Sequence, residues 1–418
     1  MSTTRIFEDR ESVVRSYCRT WPRVFDRAVG SWLYDEEGRA YLDFFTGAGA
    51  LNYGHNNPEL KQALLGYLVG DQVIHSLDMY TVAKREFLVA FDELILQPRQ
   101  LDYRVQFPGP GGTNAVEAAL KLARKATGRT HVIAFTGAFH GMTLGALAVT
   151  GGRFHRGGAG VPLTHAIQVP FGCRLDDGGS GSPGIERMLQ DSGAAMDEMA
   201  AVIVETVQGE GGINVAPLEW LAELAGLCER HDVLLIVDDV QMGCGRTGPF
   251  FSFEMADIKP DIVCLSKSIS GYGMPLALTL IRSNLDIWKP GEHNGTFRGF
   301  NPAFVTGTAA LRVFWQDKAL EHSTVAKGQR IANVLSELAR SVPGDQVRSR
   351  GRGLAHGLAF EDGELARKVS SLAFERGLLV ETAGADDEVI KLLPPLTVTH
   401  TELDQGLAIL ADAVRTVC

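Results

Sequence analysis

The chain has 418 residues, 45% hydrophobic and 22% charged, with 47 glycines and a formal net charge of −10. That length exceeds one hydrophobic core and calls for two or three domains, or one large domain with a satellite. The acidic balance argues against nucleic acid as a partner, no apolar run approaches the length of a membrane span, and residues 1–10 hold no secretory signal, so a cytoplasmic protein is expected.

Six cysteines (Cys18, Cys173, Cys228, Cys244, Cys264 and Cys418) are scattered without a CxxC pair or zinc-type spacing, which fits a reduced compartment. Residues 1–30 are polar with the apolar anchors Ile6, Phe7, Val13, Val14, Tyr17 and Trp21, and read as an arm with one helix that Pro22 ends. Residues 31–44 place two aromatic-rich runs around the acidic turn Asp35-Glu36-Glu37-Gly38, the pattern of a hairpin.

From about residue 55, helical stretches alternate with short β-branched runs. Gly109-Pro110-Gly111-Gly112-Thr113-Asn114 is a glycine-rich turn that opens into a helix over 115–125, whose apolar face is Ala115, Ala118, Ala119 and Leu122. Backbone N–H groups at such a helix start, with the Thr113 hydroxyl, form a phosphate cradle; a plain helix cap is the simpler alternative. The turn lacks a P-loop lysine and does not match GxGxxG. A strand over 131–135 leads to Phe139-His140-Gly141, where an aromatic ring can stack on a flat ligand or simply fill the core. A glycine- and serine-rich surface loop is expected over 172–183.

The near-continuous apolar runs 201–205 and 233–238, joined by a helix over 218–231, read as strands covered on both faces, hence a parallel α/β sheet. Asp238 closes the more apolar run. A carboxylate at a parallel strand's C-terminal end lies where open α/β sheets bind ligands, and when buried it needs a cation. A protonated pyridine nitrogen is such a cation, although a turn cap also fits Asp238. Lys267 follows the buried run 261–266 and enters a Gly/Ser loop. Desolvation there lowers an amine's pKa and suits it to imine chemistry. A helix over 302–341, strands over 354–360 and 378–380, and a closing helix over 401–417 suggest a smaller α+β domain.

Phosphate cradle, ring stacker, pyridinium partner and amine together describe a pyridoxal 5'-phosphate site. With these residues in view, the chain resembles the class III (ornithine/GABA-type) aminotransferases across nearly its whole length. The matches are Gly112-Thr113, Phe139-His140-Gly141, Glu205 with Gln208-Gly209-Glu210-Gly211-Gly212, Asp238-Asp239-Val240-Gln241, Gly245-Arg246-Thr247-Gly248, Ser266-Lys267, and Thr296 with Asn301-Pro302. The runs 14–19, 44–58 and 289–299 resemble, more narrowly, diaminobutyrate–2-oxoglutarate aminotransferases of the ectoine pathway.

The resemblance implies a fold type I transferase with an N-terminal arm and hairpin over 1–54 belonging to the small domain, a large cofactor domain over 55–305 and a C-terminal small domain over 306–418. It implies Lys267 as the cofactor-bearing proton shuttle and Asp238 as partner of the ring nitrogen. Val240 and Phe139 flank the ring beside His140, Gln241 reaches the ring hydroxyl, and Gly112 and Thr113 bind phosphate. Thr296 corresponds to a threonine supplied by the neighbouring subunit, so a homodimer with shared sites is implied. Arg350 is placed on the substrate α-carboxylate and Glu205 as a switch that screens an arginine. Met142 stands where ornithine- and GABA-specific relatives carry arginine, which leaves Arg298 as candidate anchor for the glutamate side chain; Asp239 and Phe300 also depart from the common pattern.

The expected reaction moves the amino group of L-glutamate to L-aspartate 4-semialdehyde. Other readings are a different ω-amine or ornithine-like transaminase, a diaminobutyrate enzyme serving siderophore or antibiotic assembly, a non-catalytic pyridoxal-phosphate binder, and racemase or mutase chemistry on the same scaffold.

Overall fold

The computed structural model describes residues 4–172, 184–190 and 198–418. The loop expected over 172–183 lies, beyond Gly172, outside them, as does Cys173.

A seven-stranded sheet forms the centre, in the spatial order Tyr103–Gln106, Leu278–Arg282, Ile262–Leu265, Leu234–Asp238, Met199–Val204, His131–Phe135 and Ala166–Val169. Every neighbouring pair is parallel except the two made by Leu278–Arg282, which runs against both its neighbours. Met199–Val204 and Ile262–Leu265 are buried at every position, as strands covered on both faces must be. The helix Gly112–Thr127 buries Ala115, Val116, Ala118, Ala119 and Leu122 against the sheet and stops at Gly128, whose φ of 72° suits a left-handed C-cap.

The register places the chemistry. Asp238 pairs with Cys264, so Lys267 leaves the sheet three residues later beside Asp238, at the C-terminal edge of the parallel strands. Phe139 and His140 follow Phe135 out of the same edge.

Two smaller sheets flank this core. In one, Phe25–Val29, Trp32–Asp35 and Ala40–Asp43 form an antiparallel ribbon completed by Leu378–Leu379. The other runs Val347–Arg352, Ala355–Phe360, Val389–Leu392 and Glu381–Ala383, all antiparallel. Arg246, fully buried, donates to Leu354 O at 3.1 Å, to Pro394 O, and to Asn52 Oδ1 at 2.6 Å. It thereby ties the loop after Asp238 to both the N-terminal turn and the C-terminal sheet.

The helix predicted over 302–341 is two helices, Asn301–Phe314 and Ala319–Ser341. Trp315 is anchored by Nε1–H donating to Tyr53 Oη at 2.8 Å, and the Asp317 carboxylate accepts the Ala319 N–H at 2.8 Å, starting the second helix. The arm likewise carries two short helices, Arg5–Arg10 and Tyr17–Thr20, because Glu11 turns extended.

Candidate active site

Lys267 has a φ of 50°, left-handed backbone that a side chain rarely adopts. The surrounding packing holds it there, and its Nζ donates to Ala48 O at 2.8 Å. Ala48 sits in the turn Thr46–Gly49, where Thr46, Gly47 and Ala48 also have positive φ, and this aims the carbonyl inward. Desolvation lowers the lysine's pKa. Lys391 adds to that shift, while the Glu210, Glu381 and Asp238 charges oppose it.

Asp238 is buried, and its Oδ2 lies 2.7 Å from His140 Nδ1. Its Oδ1 accepts the Val240 N–H at 3.1 Å. Burial works against a charge on His140, but its hydrogen bond to Asp238 and the Asp238 and Glu205 charges outweigh it, so the imidazole titrates above its ordinary value. Glu205 Oε2 accepts the Phe139 N–H at 3.0 Å, and burial pushes this carboxyl up to about 8. No arginine among the described residues pairs with Glu205. The half-buried Phe139 ring meets His155 edge-on at 5.4 Å.

The cradle lies between the helix start and the Asp238 loop. A Cβ at Gly112 would come within 2.8 Å of Val240 Cγ1, so glycine leaves the room that the Val240 side chain occupies. Ser266, next to Lys267, is the following neighbour at 3.6 Å. A Cβ at Gly141 would collide with Thr113, whose Oγ1 lies 2.7 Å from Thr143 Oγ1. A glycine-backed helix start, a buried carboxylate beside a histidine and a desolvated amine thus converge. This donor set fits a flat, phosphorylated pyridine.

Gln241 connects these groups to a charged cluster that includes Lys391 and Glu381, which no sequence motif singled out. Its Nε2 donates to Ala48 O, the acceptor it shares with Lys267, and to Glu210 Oε1, each at 3.0 Å. Glu210 Oε1 also takes a bond of 2.6 Å from Lys391 Nζ, and Glu381 Oε1 lies 3.0 Å from the same ammonium. Burial opposes ionisation of Glu210, but Lys391 and Lys267 hold it down to about 2. Tyr17 packs its ring 4.9 Å from Phe45 and 5.9 Å from Trp21; burial, then the Glu381 and Glu210 charges, raise its hydroxyl pKa. A lysine inside the apolar run Val389-Ile390-Lys391-Leu392 was the available signal, since a charge in a buried strand must be paired.

Three expected residues make no hydrogen bond or ion pair with Lys267 among the described residues. Arg350 Nε donates to Gly212 O at 2.8 Å, behind the 209–212 turn, with both Nη groups uncommitted among the described residues. Arg298 pairs with Asp78 and donates to His293 O at 3.2 Å. Thr296 is exposed, and its carbonyl lies 2.7 Å from His75 Nε2. Among the described residues no contact joins Arg298 or Thr296 to Lys267 or Asp238 of the same chain.

A family profile for class III aminotransferases matches residues 15–414. The chain belongs to the class III aminotransferases. Members use pyridoxal 5'-phosphate and act on amino acids and oxo acids. The chain is similar to a diaminobutyrate–2-oxoglutarate transaminase of Nocardia farcinica, 63% identical over 99% of this chain and 95% of that protein. One from Virgibacillus pantothenticus is 53% identical over 99% of both chains. The structure of an ornithine aminotransferase from Toxoplasma gondii superposes with a TM-score of 0.85 at 25% identity, covering 99% of this chain and 94% of that one. The mostly parallel seven-stranded sheet is therefore that of fold type I.

Proposed function

We propose that this chain is a diaminobutyrate–2-oxoglutarate transaminase: it transfers the amino group of L-glutamate to carbon 4 of L-aspartate 4-semialdehyde, reversibly, giving L-2,4-diaminobutyrate and 2-oxoglutarate. The observation that carries this reading is identity of 53–63% over essentially the full length to transaminases of that name. The setting we assign is the cytoplasm and the ectoine route. Supplying glutamate with a panel of ω-semialdehydes and identifying the amine formed tests the assignment.

Bound pyridoxal 5'-phosphate supplies an electron-withdrawing ring that stabilises negative charge on the carbon carrying the transferred nitrogen. The N–H groups at Gly112 and Thr113 and the Thr113 hydroxyl would hold its phosphate. Val240 and Phe139 would flank the ring, Gln241 would meet its hydroxyl, and Asp238, oriented by His140, would face its nitrogen. Lys267 Nζ, its pKa lowered by desolvation, would accept the proton from the substrate carbon that loses it and hand it on. Glutamate donates and leaves before the aldehyde enters, so the two substrates share one pocket. Lys391 is linked through Glu210 and Gln241 to the Ala48 carbonyl that Lys267 holds, and we turn the substrate carboxylate toward it. Arg350, with both Nη groups uncommitted among the described residues, is the second cation we assign to that carboxylate.

We assign a homodimer as the active unit. Leu77, Met79, Tyr80 and Val82 are exposed beside Phe297, which is 64% exposed. The two segments are joined by Ser76 N–H donating to Gly299 O at 2.9 Å. An apolar patch of this kind favours a second copy, and Thr296 at its edge would then serve that copy's phosphate.

A further inference from the structure

Glu381 and Lys391 are directly opposed on adjacent antiparallel strands, Glu381–Ala383 and Val389–Leu392. Opposed residues share a face, so the carboxylate and the ammonium meet by register alone. Glu210 reaches the same ammonium from the neighbouring turn, which is tied to this sheet by Gly384 N–H donating to Glu210 O at 3.0 Å. Two carboxylates thus converge on one fully buried lysine.

The two are not equally satisfied. Glu210 Oε1 takes bonds from Lys391 and Gln241. Glu381 is 5% exposed, and beyond its contact with Lys391 no hydrogen bond reaches its carboxylate from any described residue. Such a carboxylate is costly, and an apolar side chain would serve the sheet equally well. Burial raises its carboxyl to about 7, against the pull of Lys391. The network runs from Glu381 through Lys391, Glu210 and Gln241 to the Ala48 carbonyl that Lys267 also holds. Transfer at carbon 4 has no use for a second carboxylate, but the four-carbon substrate keeps an α-ammonium throughout.

We propose that Glu381 is a specificity-determining residue that accepts the retained α-ammonium of the four-carbon substrate, while Lys391 faces its α-carboxylate. The inference rests on the substrate assignment above. It makes the remote end of the pocket a reader of the amino-acid zwitterion, so a chain of equal length lacking the α-ammonium leaves Glu381 with Lys391 as its one contact among the described residues.

The test uses the cofactor-loaded enzyme and compares kcat/KM for L-aspartate 4-semialdehyde with that for succinate semialdehyde, the same carbon chain without the α-amino group. If the wild type makes no diaminobutyrate, the substrate assignment fails, and this inference with it. If it does, Glu381→Gln is expected to lower the ratio by about 10- to 100-fold, chiefly through KM for aspartate semialdehyde. Glu381→Asp is expected to recover part of it. An unchanged ratio in folded, cofactor-loaded Glu381→Gln overturns the inference while leaving the function standing. Should that variant not fold, competition on the wild type decides: L-2,4-diaminobutyrate is expected to bind at least about 10-fold more tightly than 4-aminobutyrate, and equal binding overturns the inference.

Discussion

His140 Nδ1 lies 2.7 Å from Asp238 Oδ2, so a histidine from one strand end supports a carboxylate at the end of another. Neither residue is exposed. The raised pKa of His140 makes its support of Asp238 depend on pH.

His140→Asn is expected to weaken cofactor retention by about 10-fold or more, measured by absorbance after dialysis against graded cofactor. The sign with pH follows from a folded-state pKa above the unfolded one. Stabilisation by the pair is complete below about pH 6.5, the ordinary histidine value, and is lost as pH rises through the raised folded value. The wild-type melting temperature should therefore decline over that limb, and the decline should be shallower in His140→Asn. Parallel curves would contradict it.

Gly112→Ala drives a methyl group to 2.8 Å from Val240 Cγ1. Overpacking of this kind costs about 1–3 kcal/mol, so cofactor affinity should fall by roughly 10-fold or more. Val240→Ala opens that space, and the double variant should bind better than Gly112→Ala alone. A titration showing no recovery would mean that the backbone, and not this contact, is the constraint.

Lys391→Met leaves Glu210 and Glu381 facing each other without their shared cation. Removing one partner of a buried ion cluster costs about 3–5 kcal/mol, seen as a lower midpoint of urea unfolding. Adding Glu210→Gln and Glu381→Gln should return much of the stability without returning activity. Recovery of turnover in the triple variant would show that the cluster is structural only.

The apolar patch at Tyr80, Val82 and Phe297 gives the dimer a test in solution. Tyr80→Asp with Val82→Asp should shift sedimentation toward the monomer, with turnover lost in parallel. A fully active monomer would contradict shared sites.

The αβ alternation was legible because strands buried on both faces read as unbroken apolar runs, and Asp238 and Lys267 were legible because each ends such a run. Pairings set by register were not. Glu381 meets Lys391 only because two antiparallel strands align them, and nothing within residues 381–391 states that alignment. Arg350 was legible by its chemistry, but the bond from its Nε to the Gly212 carbonyl, which leaves the Nη groups for a carboxylate, is again set by the fold. The break at Trp315 was hidden because no glycine or proline marks the short run Gln316-Asp317-Lys318 that follows it. Glu205 and Glu210 sit in one motif; only the folded turn separates the carboxylate that caps Phe139 from the one that pairs with Lys391.

The most direct measurement supplies L-glutamate labelled with heavy nitrogen on its α-amino group together with unlabelled L-aspartate 4-semialdehyde, and locates the label by mass spectrometry. The expected result is L-2,4-diaminobutyrate labelled on the nitrogen of carbon 4 alone, one 2-oxoglutarate per turnover, and neither product from Lys267→Ala. Label at the α-nitrogen, no diaminobutyrate, or undiminished turnover by Lys267→Ala would contradict the account.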